Sequence, residues 1–349
     1  MKETSAISLN SCLIERNMPF SLDIIIVNWN TEDLLQDCLR TISDACRDTD
    51  IRLGRVRVVD NASTDGSADN LVSCRLPLTL VRNARNQGFA AACNQGAKGS
   101  GAEYLLFLNP DTRLLPNSLI GPLSMLAHPA HRRTGIAGIQ LLDDMGNTSR
   151  SCARFPTPSL FFYKMIGLDR FFPDLCFSHI MTDWDHRQTK VVDHVIGAFY
   201  LVRKKVFQDL GGFDARFFVY LEDLDFSLRA FQKGWRTCYL SGFQAYHKGG
   251  GASDAVKDIR LFYALRSRIL YGFKHFIWIN AFLLVLGVLL IEPWTRLGNA
   301  VLIKSPGQMR DTLKAYAMLW KDLPNWFRLC LKVSGTPSSP ENKNYEGMS

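Results

Sequence analysis

Nine cysteines are spread through this 349-residue chain without a single CxxC pair, and the two nearest in sequence are Cys38 and Cys46. That spacing excludes a zinc ribbon and argues against a disulfide scaffold, so reduced thiols in a cytosolic setting are expected. The opening stretch, MKETSAISLNSCLIERNMPF, has no apolar core of the kind a secretory signal carries. Internal repeats are absent, and so is any recognised nucleic-acid motif. Charge of one sign is also missing from most of the chain. Outside residues 256–335 the two signs balance at 29 each, whereas that segment holds twelve Lys/Arg against four Asp/Glu and accounts for the net +8.

A basic excess of this kind suits nucleic acid or an anionic membrane surface. The sequence around it favours the membrane. FIWINAFLLVLGVLLI, residues 276–291, carries no charge and is flanked by Arg266, Arg268 and Lys274 on one side and Arg296 and Lys304 on the other. As a helix it would measure about 24 Å, short against a hydrocarbon core of about 30 Å. Phe273, Phe276, Trp278 and Trp294 at its ends suit an interface. A membrane-associating element over about 266–304, with both ends on the cytoplasmic side, is therefore expected; a buried core helix is the competing reading.

With 47% hydrophobic residues the chain has material for a proper core, and its length suits one large α/β domain plus an appendage. From Leu22 to about Ile139, short β-branched runs alternate with helical stretches near 32–47, 67–74, 88–98 and 116–127. Strands so continuously apolar are covered on both faces, which predicts a mostly parallel sheet between helices. Ligands in such sheets bind where the strands end. Polar residues collect at those ends: Asn28 and Asn30, then Asp60 and Asn61, then Asn109 and Asp111. Residues 142–190 read as loops and short helices, strand character returns at 191–207, GGFD (211–214) reads as a turn, and 237–251 as a strand with a glycine-rich loop.

The segment FFVYLEDLDFSLRAFQKGW, 217–235, delivers Glu222 and Asp223 to the first turn of a helix. Leu224, Leu228 and Phe231 fall at i, i+4 and i+7, Asp225 and Arg229 pair at i,i+4, and Gly234 sits where the helix should end. A carboxylate in a first turn feels the positive end of the helix dipole, which favours the ionised form a general base needs. Simple helix capping would use the same residues. FLNPDT (107–112) ends a buried strand in Asn109 and Asp111, which can hold a Mg²⁺ or Mn²⁺ ion, or form an ordinary turn. VVDNASTDGS (58–67) offers Asp60 to a base or ribose, or to its own turn. Gly88, in NQGFAAACNQG (86–96), permits close approach to a ligand. His247, in AYHKGGG (245–251), can join a metal shell or stand as a surface histidine.

Taken in order, VNWN, VVDNASTDGS, NQGFAAACN, LNPDT, GGFDARFFVYLEDLDFSLRAFQKGW and AYHKGGG resemble glycosyltransferase family 2, and most nearly its rhamnosyltransferase-type branch. The resemblance covers about Leu22 to Ser253. It implies a GT-A fold, a Rossmann-like central sheet with helices on both faces, and an inverting transfer from a nucleotide-diphosphate sugar. By position, Asn28, Asn30, Asp60 and Asn61 would line the donor pocket, with Gly88 and Asn94 on the donor side. Asn109 and Asp111 would stand at the Asp-X-Asp metal motif, Asn109 replacing its first carboxylate. Asp223 would be the general base, Glu222 its partner, and His247 a late metal ligand.

The expected organisation is an N-terminal extension (1–21) and a catalytic domain (22–255) with its donor half at 22–141 and acceptor half at 142–255. A basic, apolar helical region (256–333) and a disordered tail (334–349) follow. The branch implies dTDP-L-rhamnose as donor, with a UDP-hexose or UDP-galactofuranose as the alternative. The acceptor implied is a saccharide held at the cytoplasmic face of a membrane, as in cell-surface polysaccharide synthesis. Two rival readings are a non-catalytic nucleotide-sugar-binding scaffold and, from net charge alone, a nucleic-acid binder.

Overall fold

In a computed structural model, the described residues are 20–47, 49–69, 71, 75–168, 179–249, 256–325 and 328. The N-terminal extension up to residue 19, the glycines at 250 and 251 and the tail 334–349 lie outside them. The chain divides into two units, one of residues 1–156 and 172–257, the other of 157–171 and 258–349.

The first unit is built on one mixed sheet. Strands β1 (Phe20–Asn28), β2 (Ile51–Asp60), β3 (Leu78–Arg82) and β4 (Tyr104–Leu108) are mutually parallel, as the donor-half alternation predicted. Every residue of β1 and of β4 is buried; β4 is apolar throughout, and β1 is apolar over Ile24–Val27, with its buried Asp23 paired to Arg55 at 2.8 Å. Further along come β5 (Thr112–Leu114), β6 (Thr134–Leu142), β7 (Cys152–Ala153), β8 (Lys190–Val192), β9 (His194–Val195), β10 (Phe199–Arg203) and β11 (Arg236–His247). The order across the sheet is β3-β2-β1-β4-β10-β6-β11-β5, with β8 against β11, while β7 and β9 form a separate small sheet. Of the later strands, β6 and β11 are parallel, and β10 runs antiparallel between β4 and β6.

Helices Leu34–Cys46, Phe89–Ala97, Ile120–Ala127 and Glu222–Gln232 pack in this unit. Two apolar clusters hold it. One gathers Ile24, Ile26, Leu35, Leu39, Leu106, Leu123 and Leu201; the other gathers Ile25, Val27, Val59, Phe107, Tyr200, Phe207, Phe213 and Phe226. Ile24 and Ile26 enter the first and Ile25 and Val27 the second, because alternate side chains of a strand leave opposite faces. The helical stretch expected near 67–74 is not formed at 67–69, which are turn and bend; residues 72–74 lie outside the described set. Gly66 (φ +78°) and the Asp65 carboxylate, which accepts from the Ser67 N–H at 2.9 Å, commit that segment to a turn.

The second unit takes one helix from within the expected acceptor half. Pro158–Ile166 belongs with the C-terminal helices because Phe161 packs edge-on against Tyr271 and Met165 lies over Gly287. Helices Lys257–His275, Trp278–Leu286, Glu292–Leu302 and Pro306–Lys321 complete it. The apolar run expected to stop near 291 continues through one π-helical turn, Gly287–Ile291, as a 25-residue helix ending at Leu302.

Candidate active site

The sheet brings the strand-end residues into line. Asn28 and Asp60 are register partners at the ends of β1 and β2. Asn28 is fully buried, and its Nδ2 donates to Asp60 Oδ1 at 2.9 Å and to Ser67 Oγ at 2.9 Å, with Ser63 Oγ at 3.1 Å. The Thr31 hydroxyl donates to Asn28 Oδ1. Asn30 adopts φ +50° and accepts from the Thr64 N–H at 2.7 Å, tying the loop after β1 to the loop after β2. Asn61 is spent on a third loop: its Nδ2 reaches Asn86 Oδ1 at 2.9 Å and Gly88 O at 3.2 Å, and its Oδ1 accepts from Asn83 and from the Gln87 N–H.

Gly88 has φ +88°, and a Cβ there would stand 2.5 Å from Phe218 O. The next amide, Phe89 N–H, donates to that same carbonyl at 2.6 Å. Gly88 thus permits a close backbone approach, to the segment leading into the acidic helix. Asn94 is also used otherwise than expected. Its amide clasps the Phe213 backbone at both ends, accepting from its N–H at 2.9 Å and donating to its carbonyl at 2.7 Å. With both amide atoms engaged there, Asn94 fixes the GGFD loop.

A second group forms where β5 runs antiparallel to β11. Thr112 pairs with His247, which brings the imidazole Nε2 to 3.3 Å from Asp111 Oδ1 and 3.5 Å from Asn109 Nδ2. Both the Asp111 and His247 side chains are largely buried. No group of three or more His, Cys, Asp or Glu able to hold a metal occurs among the described residues. Asn109 therefore leaves one carboxylate and one imidazole. That pair fits a Mg²⁺ or Mn²⁺ ion that keeps most of its coordination for substrate oxygens and water.

The acidic pair sits on helix Glu222–Gln232. Tyr220 (φ +69°) and Leu221 (φ +66°) precede it, two consecutive left-handed residues without glycine. Each costs about 1–2 kcal/mol, strain that surrounding contacts must hold. The expected apolar stripe needs correcting. Phe231 is exposed and Leu228 only half-buried, whereas Leu224, Phe226, Ser227 and Ala230 face the interior beside a fully buried Asp225. Asp225 can be there because Arg229 bonds it at 2.8 Å and also donates to the carbonyls of Leu210 and Gly212.

The two neighbouring carboxylates differ sharply. Glu222 is buried, and its Oε2 has no hydrogen-bond partner. Burial first, and then repulsion from Asp223, push its carboxyl well above the usual range. Asp223 remains accessible at 17% of its side chain. Its Oδ2 accepts from the Gly197 N–H at 2.8 Å and its Oδ1 from the Leu224 N–H at 2.8 Å. Next to Gly197, the Ala198 carbonyl accepts from the Asn109 N–H at 3.0 Å and from the Thr112 hydroxyl at 3.3 Å. Consecutive residues thus hold the acidic helix on one side and the Asn-Pro-Asp turn on the other. Gly197 and Ala198 were missed from sequence, where 191–207 read only as strand. His194, with its Nε2 3.6 Å from Asp223 Oδ2, was missed for the same reason.

The strand ends of the sheet thus gather the Asn28–Asp60 network and the Asp111–His247 pair, and Gly197 holds Asp223 at the start of the acidic helix. The chain belongs to the family 2 glycosyltransferases: the model described as glycosyl transferase family 2 matches residues 23–167, and that described as glycosyl transferase family group 2 matches 104–331. It is a glycosyltransferase enzyme, and its rhamnosyltransferase-type kinship is carried by two curated relatives. The N-acetylglucosaminyl-diphospho-decaprenol L-rhamnosyltransferase of Mycobacterium tuberculosis is 27% identical over 248 residues, 65% of this chain and 75% of the relative. The rhamnosyltransferase WbbL of Escherichia coli is 31% identical over 148 residues, 42% of this chain and 52% of that one. In fold the chain is GT-A. It is similar to a mannosyltransferase of Pyrobaculum calidifontis, with TM-score 0.50 and 17% identity over 91% of this chain and 85% of that one.

Proposed function

We propose that this enzyme is an inverting rhamnosyltransferase that moves L-rhamnose from dTDP-L-rhamnose to a hydroxyl of a lipid-linked saccharide in cell-surface polysaccharide synthesis. The donor and acceptor rest on the rhamnosyltransferase relatives, one of which is named for a diphospho-decaprenol substrate. The observation that carries the chemistry is the contrast within one dipeptide: Asp223 accessible and held by two backbone N–H groups, Glu222 buried with its carboxyl pushed well above the usual range by burial.

Asp223 takes the proton of the acceptor hydroxyl as that oxygen attacks the anomeric carbon from the face opposite the diphosphate. The new C–O bond forms as the C–O bond to phosphate breaks, which inverts the centre. Glu222 stays protonated, so no second charge beside Asp223 competes for the proton. Asp60, Asn28 and Asn30 shape the base and ribose side of the donor pocket. Asp111 and His247, with Asn109 beside them, would hold a Mg²⁺ or Mn²⁺ ion, whose chemistry is to offset the negative charge of the diphosphate.

The second unit is read as seating the enzyme on the cytoplasmic face of the membrane. Along helix Trp278–Leu302, Trp278, Phe282, Leu290, Trp294 and Leu302 are exposed, while Ala281, Leu284, Val288, Glu292 and Ala300 are buried against the rest of the unit. Glu292 bonds Arg268 at 2.7 Å and Arg296 at 2.7 Å. Burial alone would push its carboxyl up, but the two arginines outweigh that and hold it below the usual range. A helix with an ionic cluster along one side and an apolar stripe along the other suits lying in the interface better than crossing it.

The test is Asp223→Asn, assayed with dTDP-L-rhamnose, UDP-glucose and UDP-galactofuranose. Turnover should be confined to the rhamnose donor and fall by at least about a thousandfold in the mutant, with donor binding retained. Wild-type turnover in Asp223→Asn would move the base elsewhere, and preference for a UDP donor would overturn the rhamnose assignment.

A further inference from the structure

Behind Asp223 lies a buried side-chain chain that the transfer step as described does not use. His194, in the small two-stranded sheet, is register partner to Ala153 and only 4% exposed. Its Nδ1 lies 2.9 Å from Ser227 Oγ, and Ser227, one turn beyond Asp223 on the same helix, is 1% exposed. Ser227 Oγ lies 2.8 Å from the Tyr200 hydroxyl on β10, which is itself 3.4 Å from the Asp223 carbonyl. The chain runs from the Asp223 carboxylate through His194 and Ser227 to Tyr200. Three separate elements contribute to it.

The geometry points to His194 as a positioning residue for the base, a neutral imidazole that offers Nε2–H toward Asp223 Oδ2 and is oriented by Ser227 and Tyr200. This rests on Asp223 being the base. The proton order follows from hydrogen-bond chemistry. An ionised carboxylate has only lone pairs to offer, so the group facing it must donate, which selects the Nε2–H tautomer. Nδ1 then accepts from the Ser227 hydroxyl, whose oxygen accepts from the Tyr200 hydroxyl. Nδ1 and the Ser227 oxygen are then satisfied without a net charge, and Nε2 faces Asp223 Oδ2 at 3.6 Å, just beyond hydrogen-bond range.

Neutrality matters to the chemistry. An imidazolium at 3.6 Å would stabilise the Asp223 anion and weaken it as a base, whereas a neutral ring orients the carboxylate without doing so. The charged groups facing His194 are Asp223 on the helix and Asp193 beside it in the chain, and both favour the cation. Burial outweighs them and pushes the imidazole down. Asp193 is partly engaged elsewhere, its Oδ2 accepting from the Phe155 N–H at 2.9 Å. Tyr200 and Ser227, the remaining neighbours, bring no charge.

Four variants and one spectrum test this with the whole 349-residue chain. His194→Gln keeps an N–H donor near Nε2, His194→Phe removes it at similar volume, and Ser227→Ala removes only the group that orients the ring. With dTDP-L-rhamnose and Mn²⁺, His194→Phe is expected to lower kcat by about tenfold or more. The donor KM should hold, the acid limb of the pH profile should move, and His194→Gln should restore most of the rate. Equal losses in His194→Gln and His194→Phe with an unmoved pH profile would leave His194 a packing residue and overturn the proposal. Asp223→Asn separates the two readings: if it keeps turnover, the base assignment itself fails, whereas if it is inactive and His194→Phe matches wild type, only the positioning role fails. ¹⁵N spectra of histidine-labelled protein, with His194→Gln assigning the signal, need no substrate. A neutral Nε2–H ring at pH 7 that shifts in Asp223→Asn is expected; an imidazolium or an Nδ1–H ring would sink the idea.

Discussion

Gly197→Ala tests the site at its narrowest point. A Cβ on residue 197 would stand 3.0 Å from Asp223 Oδ2, the oxygen that the Gly197 N–H now holds at 2.8 Å. The carboxylate has little room to yield, since its other oxygen is fixed by the Leu224 N–H at 2.8 Å and His194 stands at 3.6 Å. A displacement of a few tenths of an ångström must therefore be taken from the Gly197 bond. Hydrogen bonds to charged groups contribute about 1.5–3 kcal/mol, and about 1.4 kcal/mol is tenfold in rate. A fall in kcat of about ten- to a hundredfold follows, with the donor KM little changed because the donor-side loops are untouched. Gly197 is not among the residues with positive φ, so alanine adds no left-handed strain, but the gain of about 0.4–1 kcal/mol from a stiffer unfolded chain only partly offsets the weakened bond, and Tm should fall slightly. Steady-state kinetics with a melting curve decide the matter. Unchanged kcat would mean that Asp223 is not held by Gly197 during turnover, and a loss of stability well beyond about 3 kcal/mol would mean a general packing defect.

Glu222→Gln should leave kcat within about threefold of wild type, because burial and Asp223 already disfavour a charge at that position. The sign of its pH effect follows from linkage. A carboxyl whose folded pKa is raised binds its proton more tightly when folded, so its contribution to stability is fully present below the ordinary carboxylate range and is lost as pH rises toward the raised value. The Tm gain from Glu222→Gln should accordingly be larger at pH 8 than at pH 5; a gain independent of pH would contradict a neutral Glu222. Chelation should abolish turnover and Mn²⁺ should restore it, with Asp111→Asn and His247→Ala each requiring more added ion; a chelator-resistant wild type would remove the metal from the scheme. Trp278→Ser combined with Trp294→Ser should weaken sedimentation with phosphatidylcholine–phosphatidylglycerol vesicles by about tenfold or more, given roughly 1.5–3 kcal/mol for each large apolar side chain withdrawn from water. Undiminished vesicle binding would leave only electrostatics.

The parts of the site legible in sequence are those where one residue announces itself. Strands buried on both faces read as apolar runs, so the polar residues ending them, Asn28, Asp60 and Asn109, stand out. That Asn28 and Asp60 share a pocket and that His247 joins Asn109 and Asp111 was legible only through the family resemblance, because these residues lie far apart along the chain. Asn94 resembles a donor-side amide until the fold brings Phe213 to it across 119 positions. The face of the acidic helix was misjudged for a different reason. Hydrophobic periodicity assumes that charges point outward, and here Arg229 compensates Asp225 in the interior. Gly197 and His194 lie in a stretch that reads as strand, and the one available signal was a glycine and a histidine interrupting an apolar run.

The loops around Asp223 also explain how a strained helix start is kept in place. Tyr220 and Leu221 would relax if the segment before Glu222 were free, releasing about 2–4 kcal/mol between them. Three clasps oppose that relaxation. Phe89 N–H holds the Phe218 carbonyl, Asn94 holds both backbone groups of Phe213, and Arg229 holds the carbonyls of Leu210 and Gly212. Two of the three come from the helix Phe89–Ala97 and the loop before it, which Asn61 in turn ties to the end of β2. The position of Asp223 therefore depends on the part of the sheet that holds β1 and β2. A perturbation at Asn61 or Asn94, with no atom in contact with Asp223, should reach kcat through the helix start, and it should do so in proportion to the clasps it removes.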